Sequence, residues 1–230
     1  MRLHHHPLSP YSRKVVIAIQ HRHDAISAGV VRGADATQLC RPGEPGTPVE
    51  IELTQLTLGG GALKRPEYLA MSPFGKMPTL ETPDGPLFES TSIIELLEDR
   101  GPRVLLPEAT QREARHWDRI SDHYLLPPYA TLFWEAGTSQ ADAARNTVKI
   151  AYDVLGKRLE SRPFLAGDAF TLGDIGAAIA VDGLAHEGIA VPSKLRPWLD
   201  RCHAIEAVRA SRESALPFVE STRAMRAVKR

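Results

Sequence analysis

The spacing of apolar residues changes along the chain, from a mixture of strand and helix periods to helix periods alone, at about residue 108. The first segment, MRLHHHPLSPYSRKVVIAIQ, predicts a short strand, a turn and a helix, because Val15, Val16 and Ile19 recur at near-helical spacing. In VEIEL, Val49 and Ile51 alternate with glutamates, which is typical of a half-buried strand. The chain therefore opens with a strand, a helix and a second strand.

Further elements are predicted before the change of period. RPEYLAM predicts a short helix entered through Pro66, which suits the first position of a helix. KMPTLETPDGPLFES predicts a hairpin, because Pro83 presets φ and Gly85 permits a positive φ at the turn. STSIIELLEDRGP predicts a helix with Ser92 and Glu95 at capping-box spacing. The predicted order is βαβαββα.

The rest of the chain is predicted to be helical throughout. REARHWDRISDHYLLPPYATLFWE is amphipathic, with a kink expected at Pro127 and Pro128. FTLGDIGAAIAVDGLAHEG opens with a Thr171-x-x-Asp174 capping box, and its interior is almost free of charge. This helix is therefore expected at the centre of a bundle, in a separate all-helical domain.

Composition excludes several classes of partner. Lys and Arg total 28 and Asp and Glu total 28, so net charge indicates neither nucleic acid nor a charged membrane surface as a partner. The longest N-terminal apolar run, VVIAI, is far too short for a membrane span or a signal peptide, which favours a cytoplasmic protein. Cys40 and Cys202 form neither a metal-binding nor a disulfide pattern. The three consecutive histidines that start at His4 would alternate between the two faces of a strand, so they cannot all bind one metal ion.

Four stretches resemble motifs of the cytosolic glutathione transferase family. They are SPYSRKV in the first helix, SPFGKMPTL before the hairpin, FES at the start of the next helix, and FTLGDI at the central helix. On these motifs the chain is similar to a serine-type, bacterial-like member of the family. The resemblance implies a thioredoxin-like α/β domain at residues 1–103, with an insertion at about residues 24–48, followed by an all-α helical bundle at residues 108–230.

The resemblance also implies a site for glutathione as co-substrate, with no metal. Met77-Pro78 matches the family's cis-proline step, which leaves a main chain free to pair with an extended peptide, although Pro78 would otherwise simply start an edge strand. Glu89 would meet the ammonium of the γ-glutamyl group and Ser90 its carboxylate, although Ser90 would otherwise be a simple helix cap. Lys76 would meet the glycyl carboxylate, with a solvated lysine as the alternative.

Ser9 matches the catalytic position of the family's serine and cysteine classes, and Ser12 is a second candidate for the same role. A thiol of pKa about 8.5 is only ~3% ionised at pH 7, and lowering its pKa by ~2 units requires about 2.7 kcal/mol. A hydrogen bond to a charged group provides ~1.5–3 kcal/mol and a helix N-terminus ~0.3–1 kcal/mol, so one hydroxyl at a helix start is sufficient. Because serines stand at both ends of SPYS, dithiol reduction is disfavoured.

The implied activity is detoxifying transfer of glutathione to a small hydrophobic electrophile by a homodimer. Tyr11, Trp117 and Tyr124 are candidates for the lining of the electrophile cleft, although an aromatic stripe at helical spacing is more often core. Two alternatives stay open: a non-catalytic scaffold with the same fold, and a glutathione-dependent isomerase, lyase or peroxidase. The insertion at about residues 24–48 is interpreted either as a tolerated surface loop or as a lid or docking element.

Overall fold

The computed structural model of the chain describes residues 1–27, 51–58, 61–135 and 138–228. It divides into two compact units, Met1–Val104 with Arg209–Arg230, and Leu105–Val208. The break after Val104 falls in the interval left between the two predicted domains. The C-terminal residues differ from the prediction, because those from Arg209 onward pack with the first unit instead of the helical one. The predicted insertion lies outside the described residues apart from its first residues, which continue a helix.

The first unit has the predicted thioredoxin-like order βαβαββα. Its elements are β1 (Arg2–His5), α1 (Pro10–Ser27), β2 (Glu52–Gln55), a 3-10 turn (Ala62–Lys64), α2 (Pro66–Met71), β3 (Thr79–Thr82), β4 (Gly85–Phe88) and α3 (Ser90–Asp99). The hairpin prediction is confirmed: Thr82 Oγ1 accepts a hydrogen bond from the Asp84 N–H at 3.2 Å and donates to the Gly85 carbonyl at 2.7 Å.

The four strands form one mixed sheet in the order β2-β1-β3-β4. Strand β1 runs parallel to β2 and antiparallel to β3, and β4 runs antiparallel to β3. His4 pairs with Thr79, and Thr79 pairs with Phe88. The last residues of β1, the first of β3 and the last of β4 therefore lie at one end of the sheet. This end, defined by the row His4–Thr79–Phe88, is called the site end below.

Two local predictions in the first unit are wrong. The described part of VEIEL lies in the edge strand β2, which is largely exposed, with Leu53 at 47% exposure, and is not half-buried. Helix α3 begins at Ser90, so Ser92 lies inside the helix and is not its cap. The chain turns into the helix immediately after β4 ends at Phe88, which leaves no room for a later start.

The second unit is helical, as predicted. It contains α4 (Gln111–Tyr124), α5 (Leu126–Trp134), α6 (Ser139–Leu159), α7 (Leu172–His186), a second 3-10 turn (Ser193–Leu195), α8 (Arg196–His203) and the first turn of α9 (Glu206–Val228). The kink predicted at Pro127 and Pro128 is instead a break between two helices. The prolines stand in the first turn of α5, where the backbone N–H groups need no acceptor within the helix.

Helix α7 is the buried centre of this unit, and its predicted capping box is confirmed. Asp174 is fully buried and accepts hydrogen bonds from the Thr171 N–H at 3.0 Å, the Leu165 N–H at 2.9 Å and the Trp198 indole at 2.9 Å. Burial raises the pKa of Asp174, and these hydrogen bonds oppose that rise. One carboxylate thus joins the start of α7 to the loop before it and to α8.

Candidate functional site

Ser9 stands at the N-terminus of α1, an 18-residue helix. Its Oγ accepts a hydrogen bond from the Ser12 N–H at 3.2 Å, and its carbonyl accepts one from the Arg13 N–H at 3.0 Å. This is the geometry of an N-cap, and the residue is partly exposed. Because a hydroxyl accepts and donates at the same time, capping leaves the hydroxyl hydrogen of Ser9 available for a ligand.

Ser12 and Tyr11 lie in the first turn of the same helix but in different surroundings. Ser12 is 0% exposed, and its Oγ accepts a hydrogen bond from the His6 N–H at 3.3 Å. Tyr11 is partly exposed. Of the two candidate serines, Ser9 is therefore the one whose side chain reaches the surface.

The loop between α2 and β3 is held by its main chain. The Lys76 carbonyl accepts hydrogen bonds from the Tyr68 and Ser72 hydroxyls, each at 2.8 Å, and the Lys76 N–H donates to Ser72 Oγ at 3.3 Å. Gly75 has φ +59°, and a Cβ there would lie 2.8 Å from the Leu63 carbonyl oxygen, so glycine is required. The main chain of Lys76 is fixed while its side chain is exposed.

The peptide bond between Met77 and Pro78 is cis, as predicted. Strand β3 begins one residue later, at Thr79, and is an inner strand between β1 and β4. The alternative that Pro78 starts an edge strand is therefore wrong. Met77 precedes the β3 ladder and lies at the site end of the sheet.

Glu89 and Ser90 join β4 to α3. Ser90 is buried as the first residue of the helix, and Glu89 is exposed in the position before it, with φ 76° and ψ 117°. A residue other than glycine in such a conformation costs about 1–3 kcal/mol, and such strain is concentrated at ligand sites. Lys14 of α1 is fully buried, and its Nζ donates to Thr91 Oγ1 at 3.3 Å. Helix α3 begins at Ser90, and a helix N-terminus favours an anion there.

These features meet at the site end because of the strand register. Ser9 follows β1, Met77 and Pro78 precede β3, and Glu89 and Ser90 follow β4. The row His4–Thr79–Phe88 brings those three ends together. The site end thus presents a hydroxyl at one helix N-terminus, a fixed main-chain segment, and a carboxylate beside a second helix N-terminus. This arrangement suits an extended ligand that carries an ionised group, an ammonium and carboxylates.

Two family models match the chain in succession: the N-terminal domain of glutathione S-transferase at residues 43–104 and the C-terminal domain of glutathione S-transferase at residues 117–206. The chain belongs to the glutathione S-transferase family. The matched segments occur in the family order, one in each half of the chain. The transferase fold predicted from the sequence motifs is thereby confirmed.

Named relatives of this transferase-family chain differ in function. A glutathione S-transferase of Silene vulgaris is 26% identical over 193 residues, which cover 76% of this chain and 77% of that protein. A probable elongation factor 1-gamma 2 of Arabidopsis thaliana is 33% identical over 121 residues, which cover 49% of this chain but 29% of that protein. The crystal structure of Gtt2 from Saccharomyces cerevisiae has a TM-score of 0.72 at 22% identity and covers 92% of this chain and 100% of that chain, which supports the fold.

In this glutathione S-transferase family member, the two aromatic candidates on α4 have different environments within the helical unit. Trp117 is 8% exposed, lies under the Arg158 guanidinium at 5.7 Å, and packs where a Cβ on Gly173 would come within 2.8 Å. Tyr124 is 52% exposed and lines a pocket of about 330 Å³. The other lining residues of this pocket, called the α4–α6 pocket, are Ile120, Thr147, Ile150, Ala151 and Val154. The role of Trp117 and Tyr124 in lining the electrophile cleft stays a prediction.

Sequence reasoning missed the role of one histidine in this family member. His4 contacts Glu81 through Nε2 at 2.6 Å, whereas His6 bonds to the segment that carries Ser9. The turn directly after His6 was the available signal, since an imidazole before a turn can accept a main-chain N–H. Within the described ranges, no group of three histidine, cysteine, aspartate or glutamate side chains is arranged to hold a metal ion. In the same ranges, no helix is both long and apolar enough to cross a membrane.

Proposed function

We propose that this chain is a serine-type glutathione transferase, in which Ser9 donates a hydrogen bond to the sulfur of bound glutathione and stabilises it as the thiolate. The thiolate then attacks a small hydrophobic electrophile. The observation that carries the proposal is the geometry of Ser9, a partly exposed hydroxyl that already caps α1 through the Ser12 N–H at 3.2 Å. Its remaining hydrogen and the helix dipole act on the same ligand atom. The bacterial-like assignment stays a prediction.

The remaining residues of the site end support glutathione as the ligand. The ligand's extended main chain would pair beside Met77, ahead of the β3 ladder. Its γ-glutamyl carboxylate would meet the N-terminus of α3 at Ser90, and its ammonium would meet the exposed carboxylate of Glu89. The exposed side chain of Lys76 would meet the glycyl carboxylate. One zwitterionic tripeptide thus uses each polar feature of the site end.

Glutathione titration by calorimetry and turnover of chlorodinitrobenzene test this proposal. Wild-type protein is expected to bind glutathione and to turn over the electrophile. Ser9→Ala is expected to bind glutathione with similar affinity below about pH 5.5, where the bound thiol is protonated in both proteins. At neutral pH it is expected to lose about ten- to a hundredfold in kcat, because it loses ~1.5–3 kcal/mol of thiolate stabilisation. Absence of binding heat in the wild-type protein, or equal turnover by both proteins, would contradict the proposal.

A second candidate is a non-catalytic binding module that uses the same fold. It is favoured by the relatives named elongation factor 1-gamma, which match about half of this chain at about a third identity. A protein of this kind would bind glutathione or a partner without turnover. Absence of turnover with chlorodinitrobenzene, organic peroxides and cis-enones, despite glutathione binding, would favour the module. Turnover of peroxides or enones alone would instead indicate a peroxidase or isomerase that shares the same thiolate.

We further propose a cytoplasmic homodimer that acts in detoxification. Phe74 is 69% exposed in the first unit, and Ile150 of α6 is 67% exposed in the second. These are large apolar groups that a second copy would shield from water. Light scattering is expected to give twice the chain mass of 25.2 kDa, and a mass equal to one chain would contradict the dimer.

A further inference from the structure

His6 lies between β1 and α1 and holds the segment that carries Ser9. The Leu8 N–H donates to His6 Nδ1 at 3.0 Å, and the Ser9 N–H donates to the His6 carbonyl at 3.0 Å. The His6 N–H in turn donates to Ser12 Oγ at 3.3 Å. His6 therefore bonds to Leu8 and Ser9 in the turn and to Ser12 in the first turn of α1. Ring and main chain act together on the short segment from His6 to Ser12.

The hydrogen bonds define the state of the His6 ring. A main-chain N–H can only donate, so Nδ1 must be an acceptor and the ring hydrogen must be on Nε2. His6 is 5% exposed, and burial lowers its pKa. The neutral ring that the Leu8 bond requires is therefore the favoured form at neutral pH.

Helix α9 holds the ring from the other side. The Phe218 ring meets the His6 ring edge to face, with 4.7 Å between centroids and 73° between planes. One residue after Ser12, Arg13 Nε donates to Ser211 Oγ of the same helix at 3.0 Å, and Arg13 and Ser211 are both buried. Helix α9 thus contacts His6 before the turn that carries Ser9 and Arg13 after that turn.

We propose that His6 is a positioning residue for Ser9, with its Nδ1 fixing the Leu8 main chain and Phe218 fixing its ring, so that the Ser9 hydroxyl is aimed at the ligand sulfur. His6 itself does not touch glutathione in this arrangement. The inference rests on the proposed function of Ser9. Its distinctive consequence is that loss of one imidazole nitrogen weakens binding of the thiolate form of glutathione without changing the affinity for the protonated thiol.

The test compares His6→Phe with His6→Asn by steady-state kinetics, calorimetry and the pH dependence of the bound thiol. Phenylalanine keeps an aromatic ring against Phe218 but removes the acceptor. We expect kcat to fall about tenfold and the pKa of the bound thiol to rise. The Kd for glutathione should stay within about twofold of wild type below about pH 5.5, where the bound thiol is protonated in both proteins. Asparagine offers an amide oxygen close to the position of Nδ1, and it should restore kcat to within about threefold of wild type.

His5→Phe is the matched control, because His5 is the last residue of β1, is buried like His6, and uses its carbonyl to accept the Leu56 N–H at 2.8 Å instead of a bond from the turn that carries Ser9. It is expected to leave kcat and the thiol pKa unchanged. Wild-type values in His6→Phe, or a His6→Asn protein as slow as His6→Phe, would overturn the inference. If His6→Phe does not fold, Phe218→Leu decides: a lowered kcat with a raised thiol pKa supports the inference, and wild-type values overturn it. Wild-type turnover in Ser9→Ala would instead overturn the proposed function, whatever the His6 variants show.

Discussion

Ser9 has two roles that one substitution can separate. It caps α1, and in our proposal it also donates a hydrogen bond to a thiolate. Ser9→Ala removes both, whereas Ser9→Asp keeps an excellent N-cap and replaces the donor by a negative charge. The two variants should therefore rank differently in folding stability and in thiol ionisation.

The magnitudes follow from the contacts of Ser9. Loss of the 3.2 Å bond from the Ser12 N–H should lower the free energy of unfolding of Ser9→Ala by about 1 kcal/mol. Ser9→Asp should match or exceed the wild type by up to about 0.5 kcal/mol, because a carboxylate also favours the helix N-terminus. For the bound thiol, Ser9→Ala should raise the pKa by about 1–2 units. Ser9→Asp should raise it by more, because two like charges about 4 Å apart repel by about 4 kcal/mol at an effective dielectric near 20.

The assays are urea unfolding of the free protein and ultraviolet titration of the thiolate of bound glutathione. The expected order of unfolding free energy is Ser9→Ala, wild type, Ser9→Asp, from lowest to highest. The expected order of thiol pKa is wild type, Ser9→Ala, Ser9→Asp. If the aspartate variant keeps a wild-type thiol pKa, the hydroxyl acts only as a helix cap and the reasoning fails.

Three further results are expected. Glu89→Gly and Glu89→Ala should both weaken glutathione binding measured by calorimetry. In urea unfolding the glycine variant should be as stable as the alanine variant or up to about 2 kcal/mol more stable, because φ 76° is strained for alanine. A less stable glycine variant would contradict this. Asp174→Ala should lower the unfolding free energy by about 3–5 kcal/mol, because it leaves buried donors such as the Trp198 indole without an acceptor, and Asp174→Asn should cost less. Burial lowers the pKa values of His5 and His6, so the unfolded chain binds protons that the folded chain does not. In urea unfolding at a series of pH values, the free energy of unfolding should therefore be highest above about pH 6.5 and should decrease as the pH falls below it. A free energy of unfolding that stays constant between about pH 7.5 and 5.5 would contradict this.

The residues grouped at the site end were expected from the family resemblance, because local signals indicated a turn, a proline and a serine but not the order of the strands. A turn after β1, a proline before β3 and a serine after β4 become neighbours once the four strands take the order of this sheet. The capping box at Asp174 could be predicted from local signals, since its residues are three positions apart.

Features that depend on distant packing could not be predicted. The sequence predicts that the C-terminal segment is helical but does not indicate that Ser211 and Phe218 of α9 pack on the first unit. The positive φ of Glu89 could not be predicted from the sequence, because glycine is the residue that ordinarily indicates a positive φ. The break at Pro127 and Pro128 was read as a kink because both outcomes share the same residues.

The hydrogen bonds from Tyr68 and Ser72 to the Lys76 carbonyl have a consequence for substitutions of the Lys76 side chain. The two hydroxyls hold the loop by donating to the Lys76 carbonyl, so the fold of the loop depends on the main chain of this residue and not on its side chain. Replacing it by glutamine or serine would remove the positive charge, and replacing it by arginine would keep the charge but change the geometry of the donors, while the main chain of the loop stays in place. If Lys76 binds the glycyl carboxylate as proposed, substitutions at position 76 would change ligand selectivity without changing the fold of the loop.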